Sequence, residues 1–274
     1  MKLIKIMLPV IAFWAVGTVW ANNNEIDNLD EKNRNYYNAC VNNNKASACR
    51  ELGVSYARGR GIKQDYTKAG PYLEQACNLN DALGCYNLGA LYNNGKGVKK
   101  DYIEARTFLE KACNLNDDGG CFYLAELYRY GRGVKKDNNK ANTYYGKACN
   151  LNNGRGCLFM GNLYFNGHDY SSAQKYYEKA CDLNEGGGCS LLGELYNDGR
   201  GIKKDYFKAN IYFEKACNLN DSGSCTYLGI EYEYRNHDYS KAKFYYKKAC
   251  DLDDQMGYDQ LGCRNYRKLN ELGY

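Results

Sequence analysis

Cysteine is the residue type with the clearest chemical potential in this 274-residue chain, because its 14 copies are regularly spaced. Five pairs follow the pattern C-x7-C, and two looser pairs lie nearer the ends of the sequence. The pairs are Cys40–Cys49, Cys77–Cys85, Cys113–Cys121, Cys149–Cys157, Cys181–Cys189, Cys217–Cys225 and Cys250–Cys263. Zinc sites normally have about two to four residues between paired cysteines, so this spacing favours disulfides and predicts no metal and no cofactor.

Two disulfide pairings are compatible with antiparallel helices. A cysteine that ends one helix could bond to the next cysteine along the chain, as in Cys77–Cys85. Alternatively, Cys85 could bond to Cys113 across one helical hairpin. Both could bring the Cα atoms within the roughly 4.4–6.8 Å that a disulfide needs. Only the first scheme pairs all 14 cysteines, because the second leaves Cys40 and Cys263 without partners. We therefore expect the first scheme.

These cysteines belong to an internal repeat. The string K-A-C-[ND]-L-[ND] recurs at Cys113, Cys149, Cys181 and Cys217, with near copies at Cys77 and Cys250. In the unit that starts at Cys85, apolar or small residues fall at helical spacing on one face: Cys85, Leu88, Gly89 and Tyr92. A glycine-containing turn and an N-capping Asp101 follow, and then comes a second amphipathic helix. Each unit is therefore predicted to be a helix–turn–helix that buries its apolar faces against its neighbours.

The repeat predicts the organisation of the whole chain. We expect a signal peptide at 1–21, an N-terminal capping helix and junction at 22–48, and a C-terminal capping helix at 257–274. Six repeats should occupy 49–256, starting near 49, 85, 121, 157, 189 and 225. A small residue at the position of Gly89 in every unit predicts that the backbone of another helix approaches closely there. At the C-terminal end, Gly257–Gly262 matches Gly84–Gly89, which would place Tyr258 at the cysteine position and turn Cys263 about 140° away.

Composition and the N-terminal segment indicate export. Lys2 and Lys5 precede an apolar stretch that ends near Ala21, as in a cleaved signal peptide. The apolar stretch is short for a membrane span, and a mean hydropathy of −0.71 excludes a multi-span membrane protein. A net charge of +5 is too mild for a dedicated nucleic-acid binder. We therefore expect a secreted monomer, in the periplasm or outside the cell, where disulfides persist.

The repeated unit C-x-x-L-G-x-x-Y-x-x-G-x-G-V-x-x-D-Y resembles the Sel1-like repeat, a relative of the tetratricopeptide repeat. Cysteine pairs in every unit behind a signal peptide resemble the Helicobacter cysteine-rich protein family. The resemblance implies an all-α fold, namely a right-handed, disulfide-linked α/α solenoid. It also implies penicillin binding and β-lactamase activity, together with host or envelope proteins as partners.

No catalytic motif in the sequence accounts for that implied activity. Two S-x-x-K matches, at Ser172 and Ser240, occupy different positions of the repeat and have no accompanying S-D-N or K-T-G. The two histidines, His168 and His237, lie two repeats apart in the two shortened turns and cannot share a metal ion. We expect both serines and both histidines to be surface residues, so the catalytic residues stay unassigned.

A binding surface is expected on the concave face, which the first helices of such solenoids line. Two positions of the first helix vary between units: the one after the repeated Gly or Ala and the one after the repeated Tyr. The central units have polar side chains at these positions. The candidates are Asn93, Glu126, Arg129, Asn162, Glu194 and Asn197. Amide side chains both donate and accept hydrogen bonds and so suit an extended peptide, a protein segment, or a peptidoglycan fragment or its β-lactam mimic. A non-catalytic scaffold or adaptor is the alternative to an enzyme.

Overall fold

The structure is a computed structural model, and it describes residues 29–254 and 261–274. All regular elements in these residues are α-helices, and they pack in sequence as antiparallel pairs. The helices are α1 Glu31–Val41, α2 Ala46–Arg58, α3 Tyr66–Asn78, α4 Ala82–Asn94, α5 Tyr102–Asn114, α6 Asp118–Tyr130, α7 Asn138–Asn150, α8 Gly154–Asn166, α9 Tyr170–Asp182, α10 Gly186–Asp198, α11 Tyr206–Asn218, α12 Ser222–Tyr234, α13 Tyr239–Asp254 and α14 Leu261–Glu271. The all-α solenoid expected from the repeat is confirmed.

Six repeats, numbered 1 to 6 from α2/α3 to α12/α13, each contain a first and a second helix. Each first helix of the six repeats begins three residues before its cysteine, so the first helix of repeat 1 begins at Ala46. The N-terminal cap α1 begins at Glu31. The expected signal peptide at 1–21 lies outside the described residues. In the part of the chain that is described, no helix is both long and apolar enough to cross a bilayer.

An aromatic stack joins the two helices inside every repeat. In repeat 2 the rings of Tyr92 and Phe108 stack with centroids 5.6 Å apart. The same two positions stack in the other five repeats, and the pairs are Tyr56–Tyr72, Tyr128–Tyr144, Tyr164–Tyr176, Tyr196–Tyr212 and Tyr232–Tyr245. Burial of these rings stabilises each hairpin. The repeated tyrosine is thus a packing residue.

Turn chemistry ends the first helix and starts the second. In repeat 2, Gly95 closes α4 in the left-handed conformation with a φ of 67°. The Asp101 carboxylate then accepts hydrogen bonds from the first backbone N–H groups of α5, which confirms its expected role as N-cap. The second glycine of the turn, Gly97, lies directly against the backbone of Tyr66 in repeat 1. Successive turns are therefore stacked along one side of the solenoid.

The junctions between repeats combine a tight turn with a disulfide. After Cys77, Asn80 takes a positive φ of 63° and Asp81 caps the next helix by accepting from the Gly84 N–H. Gly84 packs on the Cβ of Ala76, where any added Cβ would lie only 2.8 Å away. The cysteines on either side of this turn are then close enough to bond. All seven expected pairs are disulfide-bonded, with Cα–Cα distances from 4.4 Å for Cys77–Cys85 to 4.8 Å for Cys217–Cys225.

The register expected for the C-terminal cap is wrong. Gly262 packs on Ala249, with 2.7 Å from its Cβ position to the Ala249 Cβ, as Gly84 packs on Ala76. Cys263 therefore occupies the ordinary cysteine position of a first helix and faces Cys250, with Cα atoms 4.4 Å apart. Leu269 is buried at the position of Leu91, and Gly273 takes the positive φ of Gly95. The longer separation in sequence lies in the junction that precedes α14.

The reason for the small residue in mid-helix also differs from the expectation. A Cβ on Gly161 would lie 2.5 Å from the ring of Tyr177, and a Cβ on Gly89 would lie 2.8 Å from the Leu109 Cγ. The close neighbour is thus a large side chain of the second helix in the same repeat. A backbone carbonyl comes third in distance, as Ala105 does for Gly89. The small residue leaves room for that side chain to cross the first helix.

Candidate binding face

The first helices line the inner face of the solenoid. Most successive pairs of first helices contact one another directly, as α2 does α4 and α8 does α10, whereas successive second helices in the described chain have fewer such contacts. Helices that approach their counterparts more closely lie on the inside of a curved array. We call the first-helix surface that carries the six candidate residues the inner face.

Tyrosines of the second helices reach this inner face. The ring of Tyr177 passes Gly161 and donates its hydroxyl hydrogen bond to the Asn162 Oδ1, with 2.8 Å between the oxygen atoms. At the same position of repeat 3, the Tyr145 hydroxyl donates to the Glu126 carboxylate. Burial raises the pKa of Tyr177 to about 12, so its hydroxyl keeps the proton that orients Asn162 at neutral pH.

In repeats 1 to 4, the second-helix residue at the position of Tyr177 matches the polarity of the inner-face residue beside it. Repeats 5 and 6 lack this match, because Phe213 lies beside Glu194 and Tyr246 beside Ile230. Repeats 1 and 2 have Leu73 and Leu109 at the position of Tyr177, and their inner-face residues are the apolar Val54 and Ala90. A leucine has no hydroxyl that could hydrogen-bond to a polar inner-face side chain, so an apolar residue on the inner face leaves no polar group without a partner. The polar part of the inner face therefore begins in repeat 3.

Arg129 joins repeats 3 and 4 across the inner face. Its guanidinium lies 4.5 Å from the ring centroid of Phe159 and 3.8 Å from a Glu126 carboxylate oxygen. Phe159 in turn stacks on the buried Tyr145, with centroids 4.3 Å apart and ring planes at 4°. Four side chains from three helices thus form one half-buried cluster. Its polar groups are fixed in position before any ligand arrives.

Asn197 forms an equivalent contact between repeats 5 and 6. Tyr227 donates its hydroxyl hydrogen bond to the Asn197 Oδ1 at 2.8 Å, and the Asn197 amide donates to Asp198. Burial raises the pKa of Tyr227 to about 12, and the nearby Glu231 adds to the rise. The contact links the same two repeat positions as Arg129 and Phe159, thirty residues apart in the sequence.

Glu194 and Asn93 have different surroundings. Repeat 5 has Phe213 below Glu194, which offers the carboxylate no hydroxyl. Desolvation by the surrounding protein, assisted by the charge of Asp198 and opposed by that of Arg200, raises the pKa of the Glu194 carboxyl although the residue is exposed. Asn93 donates to its neighbour Asn94 and lies in repeat 2, away from the Arg129 cluster. A shallow depression of about 140 Å³ lies beside it, lined by Val54, Ala57 and Ala90 among others.

The aromatic members of this face were missed by the sequence interpretation. Phe159 and Tyr227 are both the second residue after a first-helix cysteine, and Tyr123 is a third aromatic at that position. The signal was therefore present as an aromatic side chain at one fixed repeat position. Tyr145 and Tyr177 give no such signal. The sequence does not distinguish a tyrosine that only packs in the core from one whose hydroxyl also reaches the inner face.

The two S-x-x-K matches have structural roles at the starts of second helices. The backbone N–H of Ser172 donates to the capping Asp169 at 3.1 Å, and a hydrogen bond from the Ser172 side chain lowers the pKa of Asp169. Ser240 is exposed, and the Lys243 ammonium donates to the backbone carbonyl of Tyr274. Neither serine has the lysine of its motif as a hydrogen-bond partner in these contacts.

Both histidines lie at exposed turns in the left-handed conformation, with φ of 62° for His168 and 52° for His237. His168 is within hydrogen-bond distance of the Tyr170 hydroxyl, at 3.1 Å. Within residues 29–254 and 261–274, no group of three or more metal-ligating side chains comes together.

Known protein-family models match the helical repeats of this chain. The Sel1 repeat model matches residues 46–81, 82–117, 119–153, 188–221 and 222–254, and a tetratricopeptide repeat model matches 154–186. The chain belongs to the Sel1 repeat family. The matched segments begin and end with the helical pairs of the structure. Sel1 repeats are helical scaffolds that generally mediate protein interactions.

Two solved structures superpose on most of this chain. A Sel1 repeat protein from Oxalobacter formigenes is 25% identical and superposes with a TM-score of 0.72, over 81% of this chain and 98% of that one. A protective antigen of uropathogenic Escherichia coli with an SLR fold is 24% identical, with a TM-score of 0.71 over 87% of this chain. The match spans 56% of that antigen. Helicobacter pylori cysteine rich protein B is 34% identical over 46% of this chain and 94% of that one, with a TM-score of 0.38. Among curated proteins, no sequence matches.

Proposed function

We propose that this Sel1 repeat protein is an exported scaffold that binds an extended peptide segment along the inner face of repeats 3 to 5. The segment would belong to a host or envelope protein or to the peptide stem of a peptidoglycan fragment. The single observation that carries the proposal is the support of inner-face polar groups by second-helix tyrosines, as Tyr177 supports Asn162.

This support favours binding for an entropic reason. A flexible side chain costs about 0.5–1.5 kcal/mol when a ligand immobilises it, and contacts formed beforehand reduce that cost. With its Oδ1 accepting from Tyr177, Asn162 directs its amide N–H groups toward a ligand carbonyl. Glu194 and Arg129 add one negative and one positive group on either side. An extended peptide, whose backbone alternates donors and acceptors, matches such a row.

The compartment of this function follows from the cysteines. Seven disulfides in one chain indicate an oxidising, exported environment. We propose that residues 1–21 are a signal peptide and that the mature protein works as a monomer in the periplasm or outside the cell. The N-terminal sequence of the exported protein tests this proposal, with Asn22 as the expected first residue.

The inner face is tested by selecting ligands from a random library of extended peptides on the oxidised protein. Affinity for a selected peptide is then compared between wild type, Asn162→Ala/Asn197→Ala and the matched variant Asn139→Ala/Asn210→Ala on second helices. We expect the inner-face variant to bind at least tenfold more weakly and the matched variant to bind within twofold of wild type. Equal affinity in all three would contradict the assignment.

The β-lactam hydrolysis implied by the family resemblance is a separate proposal that no contact described above favours. A chromogenic cephalosporin incubated with oxidised wild type and with Ser172→Ala/Ser240→Ala tests it. A rate equal to that of buffer rejects hydrolysis. A rate that survives in the double variant keeps hydrolysis and excludes both serines.

A further inference from the structure

A row of cations held over tyrosine rings runs along the side of the solenoid where the turns within the repeats stack. We call this side the turn edge; it comprises the turns at 59–65, 95–101, 131–137, 167–169, 199–205 and 235–238. Three of these turns carry three Lys or Arg residues against one Asp, and one of them contains Lys96, Lys99 and Lys100 against Asp101. The acidic residue is the helix N-cap, and its carboxylate is directed at backbone N–H groups.

Each cluster uses residues from two successive repeats. Tyr102, the first residue of α5, has the Lys100 ammonium 5.0 Å from its ring centroid and the Arg132 guanidinium of the next repeat at 5.9 Å. Arg132 also lies 5.0 Å from the exposed ring of Tyr130. A hydrogen bond from Lys100 lowers the pKa of Tyr102. Two positive groups are thus held in place beside one phenol.

The same arrangement recurs at Tyr206, and a simpler one with a single cation occurs at Tyr66. Tyr206 has Lys204 at 4.7 Å and the Arg235 guanidinium of the next repeat at 4.3 Å. Tyr66 has Lys96 of the next repeat at 5.2 Å. Cation–π contacts of this kind restrain long side chains whose charged ends remain in solvent. The contacts of Gly97 with Tyr66 and of Gly133 with Tyr102 place the first two clusters in successive repeats, and the Tyr206 cluster lies three repeats further along the same side.

Large apolar side chains are exposed beside the cations. Phe207 follows Tyr206 and is 77% exposed, and Ile103 follows Tyr102 and is 58% exposed. Sugar rings have apolar C–H faces that pack on such side chains, and acidic sugars carry sulfate or carboxylate groups for the cations. A linear chain can follow separate clusters from one repeat to the next. This combination of line, charge and exposed rings favours a polysaccharide over a nucleic acid, whose phosphates would call for a denser basic stripe.

We propose that the turn edge binds a linear acidic polysaccharide through the clusters at Tyr66, Tyr102 and Tyr206. The turn edge adjoins the inner face, because Arg129 of the inner face and Arg132 of the turn edge both lie over the Tyr130 ring. The clusters at Tyr102 and Tyr206 each supply two cations to a sulfate or carboxylate and an apolar side chain to the adjacent sugar ring, and the Tyr66 cluster adds the Lys96 ammonium. The affinity is electrostatic and therefore falls as salt is added.

Heparin is the probe, and the full oxidised protein is the sample. The test variant is Lys100→Gln/Arg132→Gln/Lys204→Gln. The matched control is Lys111→Gln/Lys179→Gln/Lys215→Gln, which removes the same charge from the opposite ends of second helices. We expect wild type and control to bind heparin alike and the test variant to bind at least tenfold more weakly at physiological salt. An unchanged peptide affinity in the test variant would show that the inner face is intact.

Three results would overturn the proposal. They are no heparin binding by wild type, equal weakening in both variants, and tighter binding to anionic lipid vesicles or to single-stranded DNA than to heparin. A desulfated, carboxylate-bearing heparin distinguishes the two anionic groups: retained binding assigns the site to uronates, and lost binding assigns it to sulfates.

Discussion

Tyr177, a residue of a second helix, donates a hydrogen bond to Asn162 on the first helix of the same repeat, with 2.8 Å between their oxygen atoms. The ring can make this contact because Gly161 leaves room for it. One glycine in the core thus allows a buried tyrosine to orient a polar group on the inner face. The chain repeats the device in repeat 3, where Ala125 is the small residue and Tyr145 reaches Glu126.

Removal of the Tyr177 hydroxyl is expected to affect binding more than folding. Tyr177→Phe keeps the packed ring but frees Asn162 to rotate, so affinity for an inner-face peptide should fall about threefold to tenfold. The free energy of unfolding should fall by about 1 kcal/mol, the usual worth of one hydrogen bond. Tyr176→Phe is the control, because Tyr176 stacks on Tyr164 and has no contact with Asn162. Equal effects of both substitutions on affinity would contradict this role.

Two glycine-to-alanine substitutions should have opposite signs. Gly161→Ala places a Cβ 2.5 Å from the Tyr177 ring and should destabilise the protein by about 1–3 kcal/mol. Gly146→Ala, in the middle of α7, meets nothing closer than the Met160 sulfur at 3.8 Å and should stabilise by up to about 1 kcal/mol. Urea unfolding of the oxidised proteins measures both. Stabilisation by Gly161→Ala would show that the ring does not need the space.

Each disulfide should add stability that depends on oxidation. Cys181→Ala/Cys189→Ala opens a link with a sequence separation of 8. Loop-closure entropy predicts a loss of about 2–3 kcal/mol in the oxidised protein. The unfolding free energies of wild type and variant should converge under reducing conditions, where the disulfide is broken in both. A thiol titration of denatured, unreduced wild type should find no free thiol, and two or more free groups would contradict the complete pairing.

Asp117 should make stability depend on pH in an unusual direction. Burial, opposed by the Gly120 N–H and assisted by Asp118 and Asp81, raises the pKa of this carboxyl to about 6. Between about pH 4 and pH 6 the folded protein therefore binds more protons at this group than the unfolded chain does. Its contribution to stability falls as the pH rises through this window. Asp117→Asn keeps a capping oxygen for Gly120 without the charge.

The stability of Asp117→Asn relative to wild type should accordingly increase from pH 4 to pH 7. Asp101→Asn, at the exposed N-cap of α5, is the control and should show a smaller trend. Unfolding free energies measured at the two pH values decide between these outcomes. A constant difference between Asp117→Asn and wild type would contradict the raised pKa.

Much of the fold could be predicted from the sequence because it depends on local, repeated signals. The cysteine spacing, the Asp caps such as Asp101 and the apolar periodicity each recur in several units, so one unit supports the interpretation of another. The C-terminal cap was placed in the wrong register because Gly262 can stand for either of two small residues of a first helix. Only the packing of Gly262 on Ala249 distinguishes them.

The binding face could be predicted only in part. The variable polar positions were visible, and they lead to Asn162 and Asn197. Their tyrosine partners could not be predicted. Tyr177 and Asn162 lie on different helices, and no sequence pattern indicates that the Tyr177 ring passes Gly161 to reach Asn162. The pairing of Arg129 with Phe159 depends on the stacking of two repeats, which a pattern within one repeat does not reveal.

The position of a bound peptide shows directly whether the inner face of repeats 3 to 5 is the binding surface. A peptide selected on the oxidised protein is synthesised with a photo-reactive residue at each position in turn, and the cross-linked sites are mapped by mass spectrometry. We expect cross-links to inner-face residues of α6, α8 and α10, including the neighbourhood of Glu126, Asn162 and Glu194. Cross-links concentrated on the outer surfaces of second helices, as at Lys175 or Phe244, would contradict this expectation.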